Sequence, residues 1–114
     1  MQDVIEMGVR MKIDKNEILE YLRALKGEFE SKGIENMALF GSFAIGKESV
    51  YSDIDIAIKK KSSFLKKMGA YEYFDMINEL RSKIERKFHK KVDLFDLDSD
   101  SFIKKEIESE LIYV

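Results

Sequence analysis

The run Asp53-Ile54-Asp55-Ile56-Ala57-Ile58 constrains the fold more than any other part of the chain. It alternates strictly, and in a β-strand residues two apart share a face. Ile54, Ile56 and Ile58 therefore line one side, and Asp53, Asp55 and Ala57 line the other. A chain with such a strand builds a sheet with one apolar face and a carboxylate pair on the opposite face. At about 5 Å and an effective dielectric of about 20, two carboxylates repel by up to ~3 kcal/mol. A divalent cation removes that penalty, because hard ions such as Mg²⁺ take carboxylate oxygens. The alternative is an exposed edge strand, where screening reduces the repulsion to well under ~1 kcal/mol.

The flanking pattern supplies the rest of the sheet. Asp14 followed by Glu17 reads as a capping box. Ile18, Leu22, Leu25 and Phe29 then share one helical face, and Gly33 stands at the position of a C-terminal cap. Ile34 to Phe40 is a first strand, ended by Gly41-Ser42, with residues 42–48 as a short helix. The second strand covers 53–58, and Lys59 to Lys67 reads as a basic loop. Tyr73 or Phe74, Ile77, Leu80, Ile84 and Phe88 mark a helix over residues 70–89. Val92 to Leu97 is a third strand. A last helix is capped by Ser99 or Asp100 with Phe102, Ile103 and Ile107 inward, and Leu111 to Val114 is a short final strand. Residues 1–13 read as a ragged lead-in. The predicted class is α/β (α+β): a small mixed β-sheet flanked by helices, mostly on one side, with the acidic site on the exposed face.

Composition narrows the chemistry. The chain has 114 residues, 45% apolar and 37% charged, which suits one globular domain. A net charge of -2 argues against a nucleic-acid-coating protein. The absence of Cys excludes disulfides and thiol nucleophiles, and the single His excludes paired-His metal sites. Asp3 and Glu6 do not suit a secretory signal. The longest uncharged run, Asn36 to Gly46, has eleven residues, against the ~20 that span a bilayer. A cytoplasmic protein without membrane partners is expected.

Gly41-Ser42 complements the acidic pair. Glycine lets backbone approach a phosphate closely, and amides opening a helix point at an anion. The Ser42 hydroxyl adds a hydrogen bond, and Gly46 permits a tight turn. Asp53 and Asp55 bridging two ions is the arrangement that clamps both oxygens of an in-line phosphoryl displacement. A third carboxylate is expected from a neighbouring strand, and Asp93 is the candidate. Asp93 and Asp96 lie three apart and face opposite ways on a regular strand, so only one joins the cluster. Asp96 and Asp98 are expected at the strand's end, solvated.

Leu39-Phe40-Gly41-Ser42, followed by Ser52-Asp53-Ile54-Asp55-Ile56, resembles the minimal nucleotidyltransferases of the DNA polymerase β-like superfamily. The likeness runs over about residues 34–97, and the closing helix with Ile112-Tyr113-Val114 is also typical. It implies a single minimal nucleotidyltransferase domain over 1–114, moving a nucleoside monophosphate (AMP from ATP, or from another triphosphate) to a hydroxyl. By the same resemblance Asp53 and Asp55 bind two Mg²⁺ ions, while Asp93 binds one of them and helps deprotonate the acceptor. Gly41 and Ser42 would hold the β- and γ-phosphates. Short members of the family are often antitoxins that adenylylate a tyrosine of a HEPN-type toxin, and the resemblance implies such a partner here.

The segment departs from the family's GSRARG pattern, with Phe43 and Ile45 at the arginine positions. Lys47 or the Lys59-Lys60-Lys61 cluster are candidate substitutes. Without them the chain reads as a catalytically weak module that acts by binding a partner. Gly41-(x4)-Gly46-Lys47 is also a near miss to a P-loop, with Glu48 where that loop needs Ser or Thr. The lysines at 59, 60, 61, 66 and 67 read as a solvated loop, and His89 as an exposed helix end. Tyr71, Tyr73 and Phe74 read as packing on one helix face.

Overall fold

The structure, a computed structural model, describes residues 12–62, 69–98 and 102–114, of 102 and 103 the backbone alone. Asp14 caps α1 (Lys15–Ser31) by accepting the Glu17 N–H at 2.9 Å. That satisfies an amide with no partner inside the helix. The expected stripe of Ile18, Leu22, Leu25 and Phe29 is buried, joined by Leu19. Gly33 ends the helix at φ 112°, with its N–H returned to the Glu30 carbonyl at 3.2 Å.

The remaining elements follow in the expected order. They are β1 (Ile34–Phe40), the single turn α2 (Ser42–Ile45), β2 (Ile54–Lys60), α3 (Ala70–Phe88) and β3 (Val92–Asp96). Then come α4 (Phe102–Ile107), a 3₁₀ turn (Glu108–Glu110) and β4 (Ile112–Tyr113). The strands lie in the order β3-β2-β1-β4. β1 is antiparallel to β2 and β4, whereas β2 and β3 are parallel and use α3 as their crossover. β2 is thus an interior strand, which removes the exposed-edge alternative for Asp55.

Ile54, Ile56 and Ile58 are at most 1% exposed and join Met37, Leu39 and Val92 in the main core with residues of α1 and α3. Each such side chain contributes ~1.5–3 kcal/mol over leaving it in water. The opposite face holds a smaller core. Ala38 and Ala57 sit side by side in register, and Leu97 and Ile107 cover them. The expectation of helices mostly on one side is met by α1 and α3. α4 takes the other face, because the paired alanines leave room there for Ile107. The Phe102 and Ile103 side chains, and the proposed caps Ser99 and Asp100, lie outside the described residues.

Several expectations need correction. β2 does not stop at Ile58, because the ladder continues through Asn36↔Lys59 and Ile34↔Lys60 after the apolar pattern ends. Lys59 pairs with Glu35 at 3.4 Å, and Lys60 pairs with Asp96 and, at 3.5 Å, with Asp98. Neither lysine belongs to a solvated loop, while Lys66 and Lys67 lie outside the described residues. Of the aromatic trio only Tyr73 packs, since Tyr71 is 84% and Phe74 62% exposed. Ile13, assigned to the lead-in, is buried in the main core, and residues 1–11 lie outside the described residues. His89 is exposed, as expected, and ends α3 in a left-handed conformation. No described helix is long and apolar enough to cross a membrane.

Candidate active site

The site begins where β1 ends. Gly41 has φ 77° and ψ -159°, a region essentially reserved for glycine. A second constraint falls on the same residue: a β-carbon there would overlap the Asp55 carboxylate, standing 2.9 Å from its Cγ. The Gly41 carbonyl accepts the N–H groups of Ala44 at 3.0 Å and Ile45 at 3.2 Å, which winds α2. Gly46 closes that turn at φ 75°, and a β-carbon there would meet nothing within 4 Å. Gly46 therefore serves conformation alone, whereas Gly41 serves conformation and close approach. After Gly46 the chain enters a loop instead of opening a helix at Lys47, so the P-loop alternative fails.

Phe43, at the first arginine position of the family pattern, is 2% exposed and lies in the main core. Its apolar character is thus fixed by packing. Ile45, at the second, is 48% exposed. Lys59 and Lys60 do not substitute for the arginines. They stand at the far end of β2 from Asp55, some five residues or roughly 17 Å along the strand, engaged with acids there.

The segment joining α2 to β2 is a built turn. Ser52 N–H donates to the Ser49 carbonyl at 3.1 Å, and the Ser52 hydroxyl accepts the Ser49 N–H at 2.8 Å. Lys90 Nζ donates to the carbonyls of Val50 at 2.8 Å and Ser52 at 2.9 Å, and lies 5.9 Å from the Phe43 ring centre. Lys90 thus fastens the residue immediately before Asp53. Sequence reasoning missed it, because a lysine in the run His89-Lys90-Lys91 carries no sign of a distant partner.

Asp53 stands partly exposed at the entrance to β2, and Asp55 is its second residue. The register sets Asp55 opposite Phe40 on one side and Asp93 on the other. Neighbouring strands are about 4.8 Å apart, so Asp55 and Asp93 are adjacent carboxylates. Burial, then the charges of Asp93, Asp53 and Glu110, raise the Asp55 carboxyl to about 6. Glu110 was not anticipated. Its carboxylate reaches back from the 3₁₀ turn and accepts the Gly41 N–H at 3.1 Å.

Asp96 belongs elsewhere. It binds Lys60, accepts the Tyr73 hydroxyl at 3.2 Å and accepts the Asp98 N–H at 2.8 Å. Burial pushes its carboxyl up, but the hydrogen bonds from Lys60, the Asp98 N–H and the Tyr73 hydroxyl, with the Lys60 charge, together hold it below the usual range. The parity argument for Asp93 over Asp96 agrees with this placement. The expectation that Asp96 is solvated does not, since its side chain is only 28% exposed.

Among the described residues, no three His, Cys, Asp or Glu side chains stand close enough to enclose a metal ion. The donor chemistry nevertheless suits one. Asp53, Asp55 and Asp93 offer hard oxygen ligands, Asp55 and Asp93 stand in register on neighbouring strands, and the Asp55 carboxyl is raised by burial first and by the charges of its neighbours second.

Similarity to known proteins gives the family. Residues 23–114 match the polymerase β nucleotidyltransferase family. The chain belongs to that family and is a nucleotidyltransferase. Two relatives from Methanocaldococcus jannaschii, provisionally named protein adenylyltransferases, are 36% and 33% identical to it over 102 residues each. Each alignment covers 87% of this chain and 96% of the relative. Among solved structures, a mutant form of the toxin–antitoxin MntA–HpeT is similar in fold, at a TM-score of 0.56 and 22% identity. The match covers 90% of this chain and 72% of that one. A second mutant form of it gives a TM-score of 0.54.

Proposed function

We propose that this chain is a Mg²⁺-dependent adenylyltransferase that moves AMP from ATP to a hydroxyl of a protein partner, a HEPN-type toxin, and so acts as its antitoxin in the cytoplasm. The observation that carries the chemistry is the close approach of Asp55 to Gly41, with Asp93 in register beside it. The protein acceptor is supported by relatives named for protein adenylylation. The toxin partner is supported by the shared fold of a toxin–antitoxin structure.

Asp53, Asp55 and Asp93 would hold the Mg²⁺ ions, which supply charge neutralisation at the phosphates and lower the basicity of the attacking oxygen. The Gly41–Ser42 turn receives the β- and γ-phosphates, with no β-carbon between the backbone and the acidic strand. Asp93, the exposed member of the trio, takes the acceptor's proton. The hydroxyl oxygen bonds to the α-phosphorus, the bond from that phosphorus to the bridging oxygen of the β-phosphate breaks, and pyrophosphate leaves. The walls of a domain this small enclose little, so the partner completes the pocket that holds the acceptor. The test is incubation with labelled ATP, Mg²⁺ and a HEPN partner. Label appears on the partner with the wild type and not with Asp55→Asn. Binding of the partner without label from the wild type replaces this reading with that of a non-catalytic binding module.

A further inference from the structure

Glu110 reaches the site from the end of the chain, delivered by structure on both sides. Before it, Ile107 is buried against Ala38 and Ala57. After it, β4 pairs with β1 at Leu39↔Ile112 and Ala38↔Tyr113, and Val114 N–H donates to the Met37 carbonyl at 3.1 Å. Its Oε1 then takes the Gly41 N–H, although this sets a fourth carboxylate near Asp55. A like charge in that position is unfavourable unless the hydrogen bond it makes is useful. Glycine has the widest backbone freedom of any residue, so a glycine at a working turn gains most from being pinned. Here it is pinned at both ends, its N–H by Glu110 and its carbonyl by Ala44 and Ile45.

We propose that Glu110 is a positioning residue for the triphosphate: it holds the Gly41 amide, so that the turn is preset and Ser42, through its amide and hydroxyl, is the phosphate donor of the pair. The proposal rests on the nucleotidyl-transfer reading above. A preset turn binds without the cost of ordering it. Glu110 itself touches neither phosphate nor metal.

The test compares Glu110→Gln, Glu110→Asp and Glu110→Ala in the full chain. The readouts are equilibrium affinity for a non-hydrolysable ATP analogue with Mg²⁺, KM and kcat measured separately, and thermal melting. Glu110→Gln keeps an acceptor oxygen at the same reach and retains affinity within about threefold. Glu110→Asp retracts the acceptor by one methylene, and Glu110→Ala removes it. Both bind roughly tenfold or more weakly, the scale of a lost charge-assisted hydrogen bond. The loss appears in KM more than in kcat. Affinity unchanged or tighter in Glu110→Asp and Glu110→Ala overturns the proposal, and so does Glu110→Gln falling with them. If the wild type binds the analogue, Asp55→Asn does not, and the Glu110 variants match the wild type, this proposal alone fails. If the wild type binds no nucleotide, the proposal fails together with the reading beneath it.

Discussion

The Asp55 carboxylate occupies the space that a side chain at residue 41 would take, so Gly41 and Asp55 form one contact between β2 and the turn that follows β1. This contact joins the two halves of the sequence motif. The residues between them are spent on α2, on the Ser49–Ser52 turn and on the return into β2. Their number is therefore set by geometry, not by chemistry.

Gly41→Ala meets both constraints at once. A non-glycine residue in that backbone region costs about 1–3 kcal/mol, and the new methyl also displaces Asp55. Unfolding free energy in urea falls by about that amount, and nucleotidyl transfer drops about 100-fold, as expected for a misplaced catalytic group. Gly46→Ala has only a left-handed conformation to pay for, with open space around it. It loses about 1 kcal/mol and keeps most of its activity. Equal activity losses in the two variants would contradict the assigned contact.

Asp55 sets a pH dependence with a definite sign. Its folded carboxyl titrates at about 6, above the ordinary value of 3.8, because burial and three neighbouring carboxylates disfavour its charge. The folded state thus holds this proton more tightly than the unfolded chain. Asp55's contribution to stability is greatest below about pH 4 and is lost as pH rises through about 6. In EDTA, Asp55→Asn gains on the order of 1 kcal/mol at pH 7 after allowing for solvent screening, and the gain vanishes near pH 4. Urea titrations across that range check it. Mg²⁺ reverses the order, stabilising the wild type and not the variant.

Asp93 and Asp96 separate function from stability. Asp93→Asn removes a carboxylate adjacent to Asp55 and abolishes transfer with the fold intact. Asp96→Asn breaks the pairing with Lys60 and weakens the acceptor of the Tyr73 hydroxyl. It costs about 1–2 kcal/mol and leaves transfer within a few-fold. That loss is visible near neutral pH and shrinks in acid, because a carboxyl held below its ordinary value stabilises only while ionised. Melting temperature and transfer rate, measured on both variants, give opposite rankings.

Sequence reading was strongest where one residue's environment repeats along the chain. The alternation from Asp53 to Ile58 gave a strand and its buried side, Asp14 and Gly33 bounded α1, and parity chose Asp93 over Asp96. It was weakest where a side chain meets backbone far away. Glu110 and Gly41 are 69 residues apart, and Lys90 and Ser52 are 38 apart. Such contacts have no period, and a single glutamate or lysine looks alike whether solvated or fastened. Lys60 misled for the same reason: it continues a lysine run, yet its partners Asp96 and Asp98 arrive only when β3 pairs with β2. Phe43 is an intermediate case. The departure from arginine was plain in the sequence, but its cause, a place in the main core, needed three dimensions.

Lys90→Met tests whether the turn before Asp53 must be held. Methionine keeps an unbranched apolar stem near Phe43 but has no donor for the carbonyls of Val50 and Ser52. Two charge-assisted hydrogen bonds to partly exposed carbonyls are lost, so stability falls by about 1 kcal/mol. The larger effect is on chemistry. Ser52 precedes Asp53 directly, and freeing it lets that carboxylate wander from the position β2 gives Asp55. Transfer falls about tenfold, and hydrogen exchange speeds up at the amides of Tyr51 and Ser52 while the β2 amides keep their protection. If both amides exchange as in the wild type, the Ser49–Ser52 hydrogen bonds hold the turn unaided and Lys90 is not needed to place Asp53.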